Sequence, residues 1–488
     1  MRIRRLFPAL LIAAAASPGL PSSALASPAT PDGARQLEQS YADYLTRAVI
    51  DKGVVSVTPE GDDYVVAWDI EKGIALFGAD PGALKAARFS YRLTPTGDGA
   101  WRLAADGFPT VSIDAPTDAG RMTGTFELRG FGLHGGYDPA QSDFLQAKLG
   151  VDVAQGKFKV IDSHQTADTD FAETGLRAET RAKSAADGAG VDVASIHSIA
   201  SLTETIVGAP ADGSGPTALT YTVGAGAGEA TLAGLRAKEI AEIWKYLVAH
   251  GDEAPIPHEF DDKLRAALPL WKDLKVVGKL SDVALKAPFG QAQVKSVSET
   301  IGLSGLTAPA TGEFGVQVDG LTIESSQAPA WAAKLTPASL AFDLKFAGGG
   351  FDRAAQIALD DPSFAASGDL SPEAQDKIDA ALLGGDPKLT LAPGRLSTPT
   401  LDLAFEGEAS AVAGAPRGRF TVSADGLDKA LALLQEIAGA DSDAEAAILS
   451  LTYAKGLAKT GPDGRLVWTI EFEGADVTVN GSPLPTGK

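Results

Sequence analysis

Apolar and polar residues alternate along most of this chain. Val55 and Val57 lead into a turn at Pro59-Glu60-Gly61-Asp62, and Tyr64, Val66, Trp68 and Ile70 alternate on the return. The pattern recurs in Phe89, Tyr91 and Leu93, a turn over 95–99, then Trp101 and Leu103. It recurs again in Phe126 and Leu128, and in Leu149, Val151 and Val153. Short runs of period two between Gly, Asp and Pro turns predict hairpins of a half-buried antiparallel sheet. Segments 196–207 and 218–223 read as a further strand pair. Segment 165–191, polar with mixed charges, reads as an exposed helix or a loop.

Helical spacing is rarer. Leu37, Tyr41, Tyr44, Leu45 and Ala48 predict a short amphipathic helix over 36–50 whose aromatic stripe faces a core. Over 224–250, Ile240, Ile243, Trp244, Leu247 and Val248 form one apolar stripe, and Gly251 sits where a C-terminal glycine cap belongs. A second helical piece over 259–268 follows Pro255 and Pro257. Strands resume over 276–285 and 294–303, at Phe314, Val316 and Val318, and at Leu321 and Ile323.

Two later passages share a plan. Leu340, Phe342, Leu344 and Phe346 alternate, then Gly350-Phe351-Asp352 opens a helix over 353–359. Phe420, Val422 and Ala424 alternate, then Gly426-Leu427-Asp428 opens a helix over 429–438. Glycine relieves the turn, and aspartate suits the first helical turn. This is a weak two-unit repeat of strand, glycine turn and helix. Leu466, Trp468, Ile470 and Phe472 then alternate, as do Val477 and Val479. The single asparagine, Asn480, precedes Gly481 in a dipeptide suited to left-handed turn positions. Together these elements predict an α+β fold: an extended, largely antiparallel β-sheet, a meander, with a few amphipathic helices packed on it. The expected organisation is a strand-rich part over 27–223 with a leading helix, a helical connector over 224–270, and a strand/helix part over 271–488.

The segment from Met1 to Ala26 belongs to none of this. Arg2, Arg4 and Arg5 precede a short apolar run from Leu6 to Ala16, then Ser17, Pro18 and Gly19, and Ala24-Leu25-Ala26. A basic start, a short apolar run and a small-residue cleavage pattern define a secretory signal peptide. A membrane span needs about 20 apolar residues, and no later stretch supplies them. The expected location is therefore the periplasm, with cleavage after Ala26. Arg4-Arg5 leaves both the general and the twin-arginine export routes open.

Removing that segment, which holds three arginines and no acid, takes the formal charge from −21 to −24. Such a field opposes binding to nucleic acid and to anionic lipid surfaces. A hydrophobic content of 44% argues against disorder. The chain has no cysteine, which excludes disulfides, thiolate metal sites, thiol-linked lipids and a cysteine nucleophile.

No catalytic motif is complete. His250, Asp252, Glu253, His258, Glu259, Asp261 and Asp262 gather imidazoles and carboxylates suited to a divalent ion. The weak metal candidates among them are His250, Asp252, His258 and Glu259. Their spacing matches no metal motif, and an acidic interhelical linker explains them equally. Gly224-Ala225-Gly226-Ala227-Gly228 precedes a helix as a dinucleotide loop would, but Glu229 stands where the third glycine is required. Gly302-Leu303-Ser304-Gly305 falls short of a nucleophile elbow because Leu306 replaces the last glycine. His134, His164 and His197 have no assignable partner. The strand aromatics Tyr64, Trp68, Phe89, Tyr91, Trp101 and Phe126 fill a core or, if one sheet face is a groove, line a site for an acyl chain or a peptide segment.

The run from Asp463-Gly464-Arg465 through Trp468 to Glu473-Gly474, closing on Val477-Thr478-Val479-Asn480-Gly481-Ser482-Pro483-Leu484, resembles the ending of YdgA-like envelope proteins. It is also similar to related proteobacterial families of unknown function. The resemblance implies a Gram-negative envelope setting and brings no catalytic residues and no cofactor. The expected function is a soluble, non-enzymatic periplasmic binding or scaffold protein whose partner is an apolar small molecule or an envelope protein. The alternatives are an exported hydrolase or metal-dependent enzyme with a site near His250 and His258, and a subunit of an outer-membrane or surface assembly.

Overall fold

The computed structural model describes residues 28–484 apart from 77–81, 98, 118–119, 139–141, 163–164, 211–214, 251–257, 307–308, 329–331, 368, 384–386, 413–414 and 437–441. The signal segment lies outside them. Among the described residues are 26 strands and eleven helices, an α+β fold built on an extended antiparallel sheet. None of the described helices is long and apolar enough to cross a membrane. The chain divides into two compact units, the first essentially 1–273 and the second 274–488.

The first unit opens with α1 (Pro31–Leu45) and α2 (Arg47–Asp51). Thr30 caps α1, its Oγ1 accepting the Gly33 N–H at 3.1 Å, with Pro31 and Asp32 in the first turn. The predicted helix over 36–50 is thus two helices, broken at Thr46 by φ 127°. Strands follow as β1 (Val55–Glu60), β2 (Asp63–Trp68), a short helix α3 (Ile70–Leu76), β3 (Leu84–Ala86), β4 (Phe89–Gly97), β5 (Ala100–Ala105), β6 (Val111–Thr117), β7 (Gly120–Arg129) and β8 (Gly132–Asp138). Next come β9 (Ser142–Asp162) and β10 (Gln165–Ser184), each about 65 Å long at roughly 3.3 Å per residue.

This hairpin is the spine of the unit. The first half of β9 pairs with β8, which leads through β5, β4 and β2 to β1. Its second half pairs with β7, which leads through β6 to β3. Both branches feed one closed core with α1, in which Leu37, Tyr64 and Val66 are fully buried. Strand β10 branches likewise, to β11 (Val191–Ile199) and β14 (Ala225–Leu235) at one end and to β12 (Ser201–Pro210) and β13 (Thr217–Val223) at the other. Helices α4 (Ala237–His250) and α5 (His258–Ala267) end the unit. Trp244 Nε1–H donates to the Tyr44 carbonyl at 2.7 Å, which fixes α4 to the end of α1.

Two expectations need correction. The polar stretch over 165–191 is mostly strand β10, because its polarity alternates against charges on β9. Asp168 and Asp170 stand opposite Lys159 and Lys157 and pair with them on the wet face, while Ala167, Thr169 and Phe171 take the other face. The helix expected over 224–250 begins only at Ala237. The Gly/Ala segment before it is strand β14, with Gly226 and Gly228 opposite Ile199 and His197.

The second unit is a meander. It starts with β15 (Asp273–Ala287) and β16 (Gly290–Ser304). Then come β17 (Thr311–Asp319), β18 (Thr322–Ser325), α6 (Ala332–Leu335) and β19 (Ser339–Ala347). Helices α7 (Phe351–Asp360), α8 (Pro362–Ser367) and α9 (Pro372–Leu383) lead to β20 (Lys388–Ser397), β21 (Asp402–Val412) and β22 (Ala415–Asp425). Helices α10 (Leu427–Gln435) and α11 (Ser442–Leu457) lead to β23 (Lys459–Thr460), β24 (Leu466–Glu473), β25 (Asp476–Val479) and β26 (Ser482–Pro483). Pairing runs β16, β17, β19, β20, β21, β22, β24, β25, all antiparallel. Both strand–glycine–helix passages form, with Gly350 and Gly426 at the N-caps of α7 and α10. Only Gly426 needs a left-handed backbone, at φ 82°.

One packing device recurs in both units. Phe405 lies opposite Gly394, Phe420 opposite Gly407, and Phe472 opposite Gly418. In the first unit Phe158 lies opposite Gly124 and Phe171 opposite Gly156. In every case a Cβ on the glycine would overlap the phenyl ring, so each ring lies flat over the neighbouring strand. The ring covers backbone that glycine leaves bare, which offsets the weakness of glycine in a strand. Replacing Gly407 with alanine must displace Phe420. Urea unfolding is expected to show a loss of about 1–3 kcal/mol. Gly208, whose Cβ would meet nothing closer than 3.8 Å, is the control, and its alanine variant should stay within about 0.5 kcal/mol of the parent.

Candidate functional site

Residues directly opposite one another in an antiparallel pair share a face. Following the register across the second unit therefore traces each face strand by strand. Ile301 and Leu303 of β16 lie opposite Phe314 and Gly312 of β17. Phe314, Val316 and Val318 lie opposite Leu344, Phe342 and Leu340 of β19. Leu340, Leu344 and Phe346 continue to Leu396, Leu391 and Leu389 of β20. Leu396 meets Leu403 of β21, and Phe405 meets Val422 of β22. Phe420, Val422 and Ala424 end on Ile470, Trp468 and Leu466 of β24, and Ile470 and Phe472 on Val479 and Val477 of β25. Apart from the indole N–H of Trp468, this face carries no polar side-chain atom across β17, β19, β20, β21, β22, β24 and β25; β18, paired with the far end of β16, adds Thr322 and Glu324 to it, opposite Gln293 and Gln291.

The opposite face carries the charges, and they pair across strands. Lys345 reaches Glu313 at 3.3 Å, Lys388 reaches Glu408 at 2.6 Å, and Arg419 reaches Glu471 at 3.7 Å. Arg395 Nε–H donates to Asp402 at 2.7 Å, and Arg465 holds the other oxygen of that carboxylate. Burial pushes the Asp402 acid up, but hydrogen bonds from Arg465 and Arg395 outweigh it and hold the carboxyl below the usual range.

The apolar face is not closed like a core. Phe314 is 45% exposed, and Ile301 and Leu303 are each 40% exposed. Phe342, Leu344, Leu391, Phe405, Phe420 and Ile470 are half-buried. Of the strand residues traced, only Ala424 and Val479 are fully buried among the apolar ones. The closed packing of this unit lies in the helices instead, with Leu427, Ala430, Leu431, Leu433 and Leu434 of α10 buried. Helix α11 is fastened at the β24 side. Trp468 Nε1–H donates to the Ala454 carbonyl at 2.6 Å, and Asn480 Nδ2–H donates to the Leu457 carbonyl at 2.7 Å. Asn480 thus does more than turn the chain at φ 53°.

The first unit has a related face that also carries acids, among them Glu204, opposite Phe171 and Tyr221. Met122, Val160, Ala167 and Gly208 form one row across β7, β9, β10 and β12, and Gly124, Phe158, Thr169, Ile206 and Leu219 form the next, ending on β13. Phe171 stacks on Phe158 at 6.0 Å and 5° and on Phe126 at 6.0 Å and 26°. Glu173, opposite Ala154 and Leu202, sits on this apolar face, and its carboxyl is raised by burial.

The residues singled out from the sequence are dispersed. Tyr64, Phe89, Tyr91 and Trp101 fill the closed core, and Trp68 is half-buried against it. Tyr41 and Tyr91 share a hydroxyl hydrogen bond of 2.6 Å there, and burial pushes both phenols up. These aromatics pack on each other and on α1; of the six, Phe126 alone reaches an apolar face with open neighbours. His250 stacks on Tyr246 at 4.2 Å, with Nδ1 3.0 Å from the Tyr246 carbonyl. Glu259 pairs with Lys263 at 3.7 Å. Asp252 lies outside the described residues, and His258 opens α5. Among the described residues no three His, Asp or Glu side chains gather to hold a metal. His134 faces Asp106 at 3.2 Å on the surface, His197 packs against Gly228, and His164 lies outside the described residues. Ser304 is buried, and its hydroxyl accepts the Thr311 N–H at 2.8 Å as a strand-end clasp.

The chain matches no protein-family model, no curated protein and no solved structure with which it was compared.

The raised Glu173 carboxyl makes a signed prediction. The folded protein holds that proton to a higher pH than the unfolded chain does, so folding is favoured on acidification and loses this contribution as pH rises through the folded value. Because Glu173 is partly exposed, the effect is small. Thermal melts of Glu173→Gln are expected to run about 1–2 °C above the parent at pH 8. The two should coincide below about pH 4, where the carboxyl is protonated in both the folded and the unfolded chain.

Proposed function

We propose that this chain is an exported, non-enzymatic binding protein of the cell envelope that holds an apolar ligand on the apolar sheet face of its second unit, which is most open at Ile301, Leu303 and Phe314. One observation carries the proposal: an apolar face spanning β16 to β25, with Phe314, Ile301 and Leu303 at 40% exposure or more. Contiguous exposed apolar surface of this kind marks ligand or partner sites in soluble proteins. The envelope setting rests on the signal-like segment from Met1 to Ala26 and on the resemblance of the C-terminal hairpin to YdgA-like proteins. A binding role needs no cofactor, and the acidic charge of −21 keeps such a protein soluble and off anionic surfaces.

The full chain expressed in a Gram-negative host is expected in the periplasmic fraction with Ser27 as its first residue. It should raise the fluorescence of N-phenyl-1-naphthylamine, a neutral apolar probe. Phe314→Asp, at a half-exposed position, should weaken that binding by about tenfold or more while leaving the thermal midpoint within about 2 °C of the parent. A parent protein that takes up no probe, or a variant that binds it as well as the parent, overturns the proposal.

A further inference from the structure

We infer that the occupant of this face is a polymethylene chain bearing an uncharged or zwitterionic head group, and not an extended peptide segment; the inference rests on the binding role proposed above. The distinction comes from hydrogen bonding. Every residue of a peptide brings an N–H and a C=O that must be paired when removed from water. Across β17, β19, β20, β21, β22, β24 and β25 the face has one side-chain donor, the Trp468 indole, and that is already spent on the Ala454 carbonyl. Its strands are interior, with their own backbone groups spent on both neighbours. An extended peptide lying on it would leave polar groups unpaired. A hydrocarbon chain has none to leave.

The surface itself suits such a chain. Phe405, Phe420 and Phe472 lie flat over Gly394, Gly407 and Gly418, so the face presents ring surfaces and aliphatic branches.

The head group is argued from charge and from β16. The formal charge of −21 opposes an anionic ligand at low ionic strength. On β16 the same face changes character along the strand. Beyond Ile301 come Glu299, Val297, Lys295 and Gln293, with Glu299, Lys295 and Gln293 exposed. Gln291 follows on the same face and donates to Glu324 of β18 at 2.6 Å, next to Thr322, so two acids, one base and two amides border the apolar floor where a ligand's polar end leaves it.

Displacement of N-phenyl-1-naphthylamine from the full chain tests this. Decanoyl, dodecanoyl and tetradecanoyl lysophosphatidylcholine, each below its micelle concentration, are expected to compete. Affinity should tighten about two- to fourfold per added methylene. Dodecanoate should bind about tenfold or more weakly than its zwitterionic counterpart at low salt, and the gap should narrow at high salt. Ile301→Asp combined with Phe314→Asp, opposite each other at exposed positions, should abolish competition. Gln317→Ala on the other face should leave it unchanged. Competition by an uncharged leucine-rich decapeptide but not by the lipids overturns the inference while the binding role stands. Equal affinity for dodecanoate overturns the head-group assignment. Absence of probe binding altogether removes the binding role itself.

Discussion

Phenylalanine laid over glycine on the adjacent strand is the contact on which the rest of this structure depends. A glycine inside a strand is weak because it has no side chain to pack and too much freedom to lose. Here the neighbouring ring covers that gap in five places, two in the first unit and three in the second. The consequence is more than local stability. A ring that lies flat on its own sheet satisfies its apolar surface partly without a second layer. A sheet built this way can keep an apolar face without a helix or a second sheet pressed against every part of it.

That constraint separates the two kinds of apolar packing in the chain. Around α1 the first unit closes a conventional core, where Leu37, Tyr64 and Val66 are shut away from water. Along the second unit the apolar side chains alternate as regularly, yet most stay half-buried, while the charged face is laced by cross-strand pairs such as Lys345 with Glu313 and Arg419 with Glu471. Exposed ion pairs of this type contribute little stability each. Their larger effect is on register: slipping a strand by one residue would turn Glu and Lys onto the apolar face and Phe onto the wet one.

Much of this is written in the sequence and some is not. Alternation in Leu340 to Phe346 and in Leu466 to Phe472 identifies strands directly, and the glycine before each aspartate marks where strands pass into α7 and α10. Segment 165–184 hides its strand because its wet face is charged and its dry face holds Ala and Thr; only the matching lysines Lys157 and Lys159 on β9 reveal it. The Gly/Ala run of β14 likewise lacks the branched residues that advertise strands. The candidate site is legible only halfway. Period two says that Phe342, Phe405 and Phe420 share a face within their strands, but whether anything covers that face depends on register between distant segments and on where α10 and α11 come to rest. The same limit applies to Tyr64, Tyr91 and Trp101, whose alternation is identical but which α1 seals into the core.

The proposed binding role requires the apolar face of the second unit to be open to a hydrocarbon chain. Photolabelling of the full chain with a lysophosphatidylcholine carrying a diazirine in its acyl chain, followed by peptide mapping, tests it most directly. Label is expected to concentrate on peptides from β17, β19, β21 and β22, at residues such as Phe314, Phe342, Phe405 and Phe420, and to be suppressed by unlabelled lipid. Label spread over the charged face, or confined to the exposed residues of α4 and α11, would contradict it.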